Sequence, residues 1–228
     1  MFSEDDETQP RYHHGNVKEA LISRAMKFIE NDEADNLSLR RLAREVGVSP
    51  SAVYNHFPDK NALMLAIKIR LYQQFNEYFA MRQQHGADAV QRLHDMCLAY
   101  YHFACEQPAR FQVLFGSTLS MEWSTQELVD MSCVTINRLR KLVLSIYEKH
   151  NIPCSEEEAV NTSLLIWCQL HGIIQLKNSG SIRAAVTYQD WPEACALQRD
   201  EDVERLIQKQ VNMTVQGILN SQYHSGHH

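Results

Sequence analysis

The sequence predicts an all-α protein in which an N-terminal three-helix module precedes a larger helical body. Three observations carry that reading. Glycine and proline are scarce, at 8 and 6 of 228 residues. No run alternates apolar and polar residues over the length of a strand. Long stretches instead repeat apolar residues at spacings of three and four, the period of a helix buried on one face.

The elements follow in order. Residues 17–30 place Val17, Leu21, Ile22, Ala25, Met26, Phe28 and Ile29 on an apolar stripe, with Lys18, Arg24 and Lys27 off it. Ser38 suits the N-cap of a short helix over 39–46, and Gly47 sits where a left-handed residue would close it. Ser49 offers another N-cap, and Pro50 falls at the first helical position, where its missing N–H costs nothing. Pro58 stops extension beyond Phe57. Asp59 then caps a longer helix begun by Leu63, Ile67, Leu71 and Phe75.

Residues 89–106 read as a helix ended near Pro108. Ser124 with Glu127, and Ser155 with Glu158, have the spacing of a capping box and open helices that reach about Lys149 and Asn178. Residues 180–191 read as a loop. Residues 200–219 form the last helix, acidic in its first turn as the helix dipole favours.

Composition narrows the class. An apolar content of 44% suffices for a core. Residues 1–10 are acidic and lack the basic and apolar regions of a secretory signal. The apolar run 163–176 is interrupted by Gln169 and His171, short of the roughly 18–20 residues a membrane helix needs. Six cysteines without a CxxC pair suit a reducing compartment. A soluble cytoplasmic protein is expected. The terminal HSGHH resembles an affinity-tag remnant, so His227 and His228 are left out of any metal argument.

The net charge of −6 is unevenly spread. Residues 1–10 carry −4, residues 11–70 carry +3, and the remainder carries −5. A basic module joined to an acidic body can concentrate phosphate affinity at one end. The expected division is an acidic tail over 1–10, a helix-turn-helix domain over 11–67, a helical body over 68–222 and a tail over 223–228.

Residues 39–57 meet the specification of a helix-turn-helix, two short helices joined by a tight turn containing glycine. In the second helix Val53 and Phe57 lie about one turn apart and can anchor on Leu42, Ala43 and Val46. Ser51, Ala52, Tyr54, Asn55 and His56 are left facing outward. Small Ser51 and Ala52 let a backbone approach base edges, Asn55 can pair with adenine, and Tyr54 and His56 can donate to phosphate.

The run LSLRRLAREVGVSPSAVYNHFPDKNALM resembles the DNA-binding domain of the tetracycline-repressor (TetR) family of bacterial regulators, and YHHGNVKEALISRAM resembles the arm and first helix of one branch. WCQLHG, Trp167 to Gly172, resembles the signature of the C-terminal domain that branch carries, named for Trp, His and Gly. The resemblance covers about residues 12–66 and 167–172. It implies that Arg40 reaches a base or phosphate, that Ser51, Ala52, Tyr54 and Asn55 contact bases or sugar, and that His56 and Lys60 hold phosphate, with Ser49 beside them. Lys60 also stands at the positive N-terminal end of a helix. Arg11, Tyr12, His13 and His14 form either an arm along the DNA or a disordered tail.

For the body, the resemblance implies an effector-binding and dimerisation domain. Residues 156–178 carry two apolar stripes, Val160, Leu164, Trp167, His171, Ile174 and Ala159, Ser163, Ile166, Leu170, Ile173, so both faces need cover. A stripe of Val203, Ile207, Val211, Thr214 and Ile218 on the last helix, with Gly217 permitting close approach, pairs with it in a symmetric four-helix interface, or else is buried within one subunit. Aromatic residues are core as readily as pocket. Tyr100, Phe103 and Phe115 remain open between the two, and the ligand site is placed at Tyr101, Phe111, Trp123, Trp167 and His171.

Other chemistries find little support. His94 with Cys97 and His102 with Cys105 have ligand-like spacing, but the outer two lie about 16 Å apart along a helix and cannot share one ion. Cys97 and Cys168 show no sign of thiolate activation. No nucleophile–base pair, paired carboxylates or phosphate loop stands out, so no catalysis, metal or cofactor is expected. The expectation is a ligand-responsive regulator, a repressor that binds a palindromic double-stranded operator as a homodimer and is released by a small-molecule effector. A helical interaction protein without DNA affinity is the alternative.

Overall fold

The computed structural model describes residues 17–31, 33, 36–82, 88–116 and 124–220. Residues 1–16, Trp123 and the 223–228 tail, and with them the arm at 11–14 and one proposed ligand contact, lie outside the described residues. Among the described residues there are ten helices and no strand: α1 Val17–Glu30, α2 Leu39–Val46, α3 Pro50–His56, α4 Lys60–Met81, α5 Ala89–Glu106, α6 Pro108–Phe115, α7 Gln126–Lys149, α8 Glu156–Ser179, α9 Ser181–Gln189 and α10 Asp200–Asn220. A 3₁₀ turn, Glu193–Ala196, precedes α10. The chain divides into two compact units, one up to Lys68 and one from Ile69, the division falling inside α4.

In the first unit α1 buries Leu21, Ile22, Ala25, Phe28 and Ile29 against Leu39, Leu42 and Ala43 of α2 and Val53 of α3. Burial of each large apolar side chain is worth about 1.5–3 kcal/mol. A polar clasp closes the outside. Arg24 and Arg41 reach Glu45 at 2.6 and 3.1 Å, Arg41 also reaches Glu33 at 2.8 Å, and its guanidinium stands 4.4 Å above the Phe28 ring.

The second unit is built around α5, which packs against α6, α7, α8 and α10. Its α4 segment buries Leu71, Phe75 and Tyr78, and α5 buries Leu93, Cys97, Tyr101 and Phe103. A buried polar lock ties α4 to α7: Thr135 donates to Asn76 Oδ1 at 2.7 Å, and Asn76 Nδ2 donates to the Met131 carbonyl at 2.9 Å.

Three expectations are corrected, and one helix, α6, is added. Residues 181–189 form α9 rather than loop: Gly180 ends α8 at φ 68°, and the chain re-nucleates because Val186, 4% exposed, finds a buried seat. Pro108 opens α6 at its first position as well as ending α5, since Gln107 alone leaves helical geometry between them. The N-cap of α7 is Thr125, whose hydroxyl accepts from the Leu128 N–H at 3.2 Å, not Ser124. The α10 stripe of Val203, Ile207, Val211 and Ile218 is buried within the subunit, so the outer face of that helix carries other residues.

Candidate nucleic-acid interface

Short local interactions build the helix-turn-helix. Ser38 is extended, at φ −135°, and its side chain accepts from the Arg41 N–H at 3.2 Å, so α2 starts at Leu39. Gly47 closes α2 in the left-handed region at φ 75°, a conformation that a Cβ would strain. Ser49 accepts from the Ala52 N–H at 3.2 Å, and its hydroxyl lies 2.9 Å from that of Ser51. Asp59 Oδ1 accepts from the Ala62 N–H at 2.8 Å at the start of α4.

Two side chains seat α3. Val53 and Phe57 are 0% and 2% exposed, beside Leu42 and Ala43, while Val46 is half-buried. The rest of the helix faces away from its unit. Ser51, Asn55 and His56 are exposed, Tyr54 is 45% exposed, and Ala52 is half-exposed. Arg40, Ser49 and Lys60 are also exposed. The eight residues named from the sequence for DNA contact therefore lie on α2, on α3 and its N-cap, and at the first turn of α4, with their side chains uncovered or half-covered by their unit.

Charge is sorted between inside and outside. Arg41 and Arg24 are committed to Glu33, Glu45 and the Phe28 ring. Hydrogen bonds from Arg24 and Arg41 outweigh burial and hold Glu45 below the usual carboxylate range. Among the described residues no ion pair engages Arg40, Arg44 or Lys60. Arg44 was not singled out from the sequence. Its position four residues after Arg40, on the same helical face, is the signal that could have found it.

The body holds a cavity of about 280 Å³. Tyr72, Phe75 and Phe79 of α4, Tyr100 of α5, Phe115 of α6 and Trp167 of α8 supply its aromatic walls. Thr135 and Cys133 of α7 are among its few polar groups. The Trp167 indole donates to the Tyr100 hydroxyl at 3.0 Å, and His171 Nδ1 lies 3.1 Å from the same oxygen. Burial pushes the Tyr100 hydroxyl well above its ordinary range and the Cys97 thiol, also on the wall, up to about 12, so Cys97 stays a thiol.

Of the sequence-named ligand residues, Trp167 lines this cavity. His171 stands behind Tyr100 and stacks on Phe111 at 5.6 Å, and neither reaches the wall. Tyr101 points elsewhere: its hydroxyl donates to Asp200 at 2.6 Å and accepts from Lys177. Tyr72, Phe75 and Phe79 were missed, because α4 reads as ordinary core until the opposite wall is known. Among the described residues no three His, Cys, Asp or Glu side chains converge on a metal position, and His102 is engaged with Glu204 at 2.9 Å.

A family model described as "Bacterial regulatory proteins, tetR family" matches residues 21–67, and one described as "Tetracyclin repressor-like, C-terminal domain" matches residues 93–194, the stretch that contains WCQLHG. The chain belongs to the tetR family. As a tetR-family protein it is a regulator and not an enzyme. It is 25% identical over 143 residues to the nucleoid occlusion factor SlmA of Mannheimia succiniciproducens, an overlap of 59% of this chain and 64% of that one. It is 24% identical over 169 residues to the HTH-type transcriptional regulator Rv0681 of Mycobacterium tuberculosis, covering 72% and 71% of the two chains. The chain spans between about half and two-thirds of the length of the SlmA relatives from Haemophilus and Mannheimia. In fold it is similar to a Rhodococcus sp. RHA1 protein, with a TM-score of 0.71 at 23% identity over 92% of this chain and 98% of that one. The TetR regulator SCO7222 of Streptomyces coelicolor follows at 0.61 and 14% identity, over 89% and 97%. No helix among the described residues is long and apolar enough to cross a membrane.

Proposed function

We propose that this tetR-family regulator is a cytoplasmic homodimeric repressor that reads a palindromic operator through α3 and releases it when a small molecule enters the body cavity. The observation that carries the reading is the seating of α3 on Val53 and Phe57 with Tyr54 and Asn55 left uncovered. A helix held this way can enter a major groove. Asn55 then reads a base edge, Ser51 and Ala52 permit close approach, and Arg40, Arg44, His56 and Lys60 meet phosphate or base.

The unburied faces of α8 and α10 support the dimer. Leu165, Leu176 and Met213 are 64%, 46% and 66% exposed, and a Cβ built on Gly172 or Gly217 meets nothing within 4 Å. A palindromic operator requires the two reading helices of such a dimer to stand roughly 34–36 Å apart, one helical turn of DNA. Because α4 carries both the Lys60 end and the cavity residues Tyr72, Phe75 and Phe79, a ligand that moves α4 bears on DNA affinity. Linkage requires operator DNA to weaken ligand binding by the same factor.

The test is selection of bound fragments from the source genome followed by fluorescence anisotropy. Binding should be sequence-selective and fall steeply with salt. A protein that binds no duplex, or all duplexes alike, would sink the reading.

A further inference from the structure

A second concavity, about 230 Å³, shares Phe79 and Met96 with the aromatic cavity as lining residues. Its character is different. Arg82 of α4, Arg92 of α5, and Arg138 and Lys141 of α7 line it, against one carboxylate, Asp95.

Two of the four cations are committed: Arg82 stacks over Tyr78 at 3.4 Å and meets Glu106 at 3.4 Å, and Arg138 donates to the Asn76 carbonyl at 3.0 Å. Among the described residues Arg92 and Lys141 have no ion-pair partner, and the buried Arg92 Nε has no hydrogen-bond acceptor. The single Asp95 carboxylate makes no ion pair with either: its Oδ1 accepts from Gln91 at 2.8 Å, its Oδ2 is unpartnered, and one negative charge stands against four cations. A buried donor without an acceptor is costly, and a cationic concavity beside an apolar one has a net need for an anion.

We infer that the two concavities are one binding site for an amphipathic anion, its apolar tail among Tyr72, Phe75, Tyr100 and Trp167 and its carboxylate or phosphate head at Arg92, Arg138 and Lys141. Met96, unbranched and adaptable, is the part of the shared lining that can turn aside for the connecting chain. The cavity of about 280 Å³ equals about nine water-sized volumes at ~30 Å³ each, which sets a tail of medium length. The inference rests on the effector reading for its biological meaning but not for its binding chemistry.

Calorimetry on the full chain with decanoate, decyl phosphate and decanol tests it. Decanoate or decyl phosphate should bind about tenfold or more tightly than decanol, as charge-assisted hydrogen bonds require, and the tighter of the two identifies the head group. The double variant Arg92→Gln, Lys141→Gln removes no side-chain hydrogen bond or ion pair seen among the described residues, so it should fold. It should erase the preference while decanol binds as before. A decanol affinity equal to that of both anions, a preference that survives the double variant, or no binding by any of the three overturns the inference. Operator release is measured separately. Anion binding that leaves DNA bound overturns the effector reading and keeps this site, whereas release by decanol as strong as by the anions does the reverse.

Discussion

Helix α3 and helix α8 use the same physics in opposite directions. Seven-residue α3 is held by a cap at its start and two buried anchors, and everything else on it faces out. α8, of 24 residues, buries Ala159, Ser163, Ile166, Leu170 and Ile174, turns Trp167 onto a cavity and leaves Leu165 and Leu176 exposed. The first unit keeps its uncommitted polar groups on the surface, where a polyanion can meet them. The second keeps its aromatic groups inside, where a small molecule can. The arginines repeat the contrast within one turn of α2: Arg41 clasps Glu33 and Glu45, while its neighbour Arg40 and the next-turn Arg44 are unpaired among the described residues.

The comparison breaks most readily at the anchor. Phe57→Ala should cost about 3–5 kcal/mol in the first unit and abolish operator binding, read by chemical denaturation and anisotropy. Unchanged DNA affinity would mean that α3 is not positioned by that side chain. Asn55→Ala should cost about 1–3 kcal/mol at one base position and leave other positions alone, visible in a single-base operator series.

Gly47→Ala should destabilise by about 1–2 kcal/mol through left-handed strain alone, because a Cβ there meets nothing within 4 Å. Substituting Arg44 or Lys60 by Ala should weaken binding to all sequences and lower the salt slope by about one each. Arg41→Ala should instead lower thermal stability and leave the slope unchanged. Equal slopes for Arg41→Ala and Arg44→Ala would erase the inside–outside division.

The smallest expected effect is on pH. Burial lowers the His171 pKa, so the unfolded chain takes up a proton first and the body loses stability as pH falls below about 6.5. Hydrogen bonds from Tyr101 and then Lys177 hold Asp200 below the usual carboxylate range. Its contribution is present above about pH 4 and lost as pH falls through the depressed value. Lys177→Met should flatten the acid limb of a stability–pH curve. His171→Asn should flatten the limb near neutrality.

The sequence by itself determined the helix-turn-helix and its outward face. Ser38, Gly47, Ser49, Pro50 and Asp59 act on neighbours within four residues, and anchors one turn apart define the opposite face. Interactions of that range are visible in a string of letters. Only the tertiary structure decided which aromatic residues enclose space. Tyr72, Tyr100 and Trp167 meet across 28 and 67 positions of chain, and each alone has the spacing of ordinary core. It also decided that the α10 stripe is spent within the subunit, and that Arg41 is ion-paired while Arg44, three residues on, has no ion pair among the described residues. Periodicity names the face of a helix that must be covered. Which neighbour covers it, and whether the covering leaves a void, follows from packing between segments far apart in the chain.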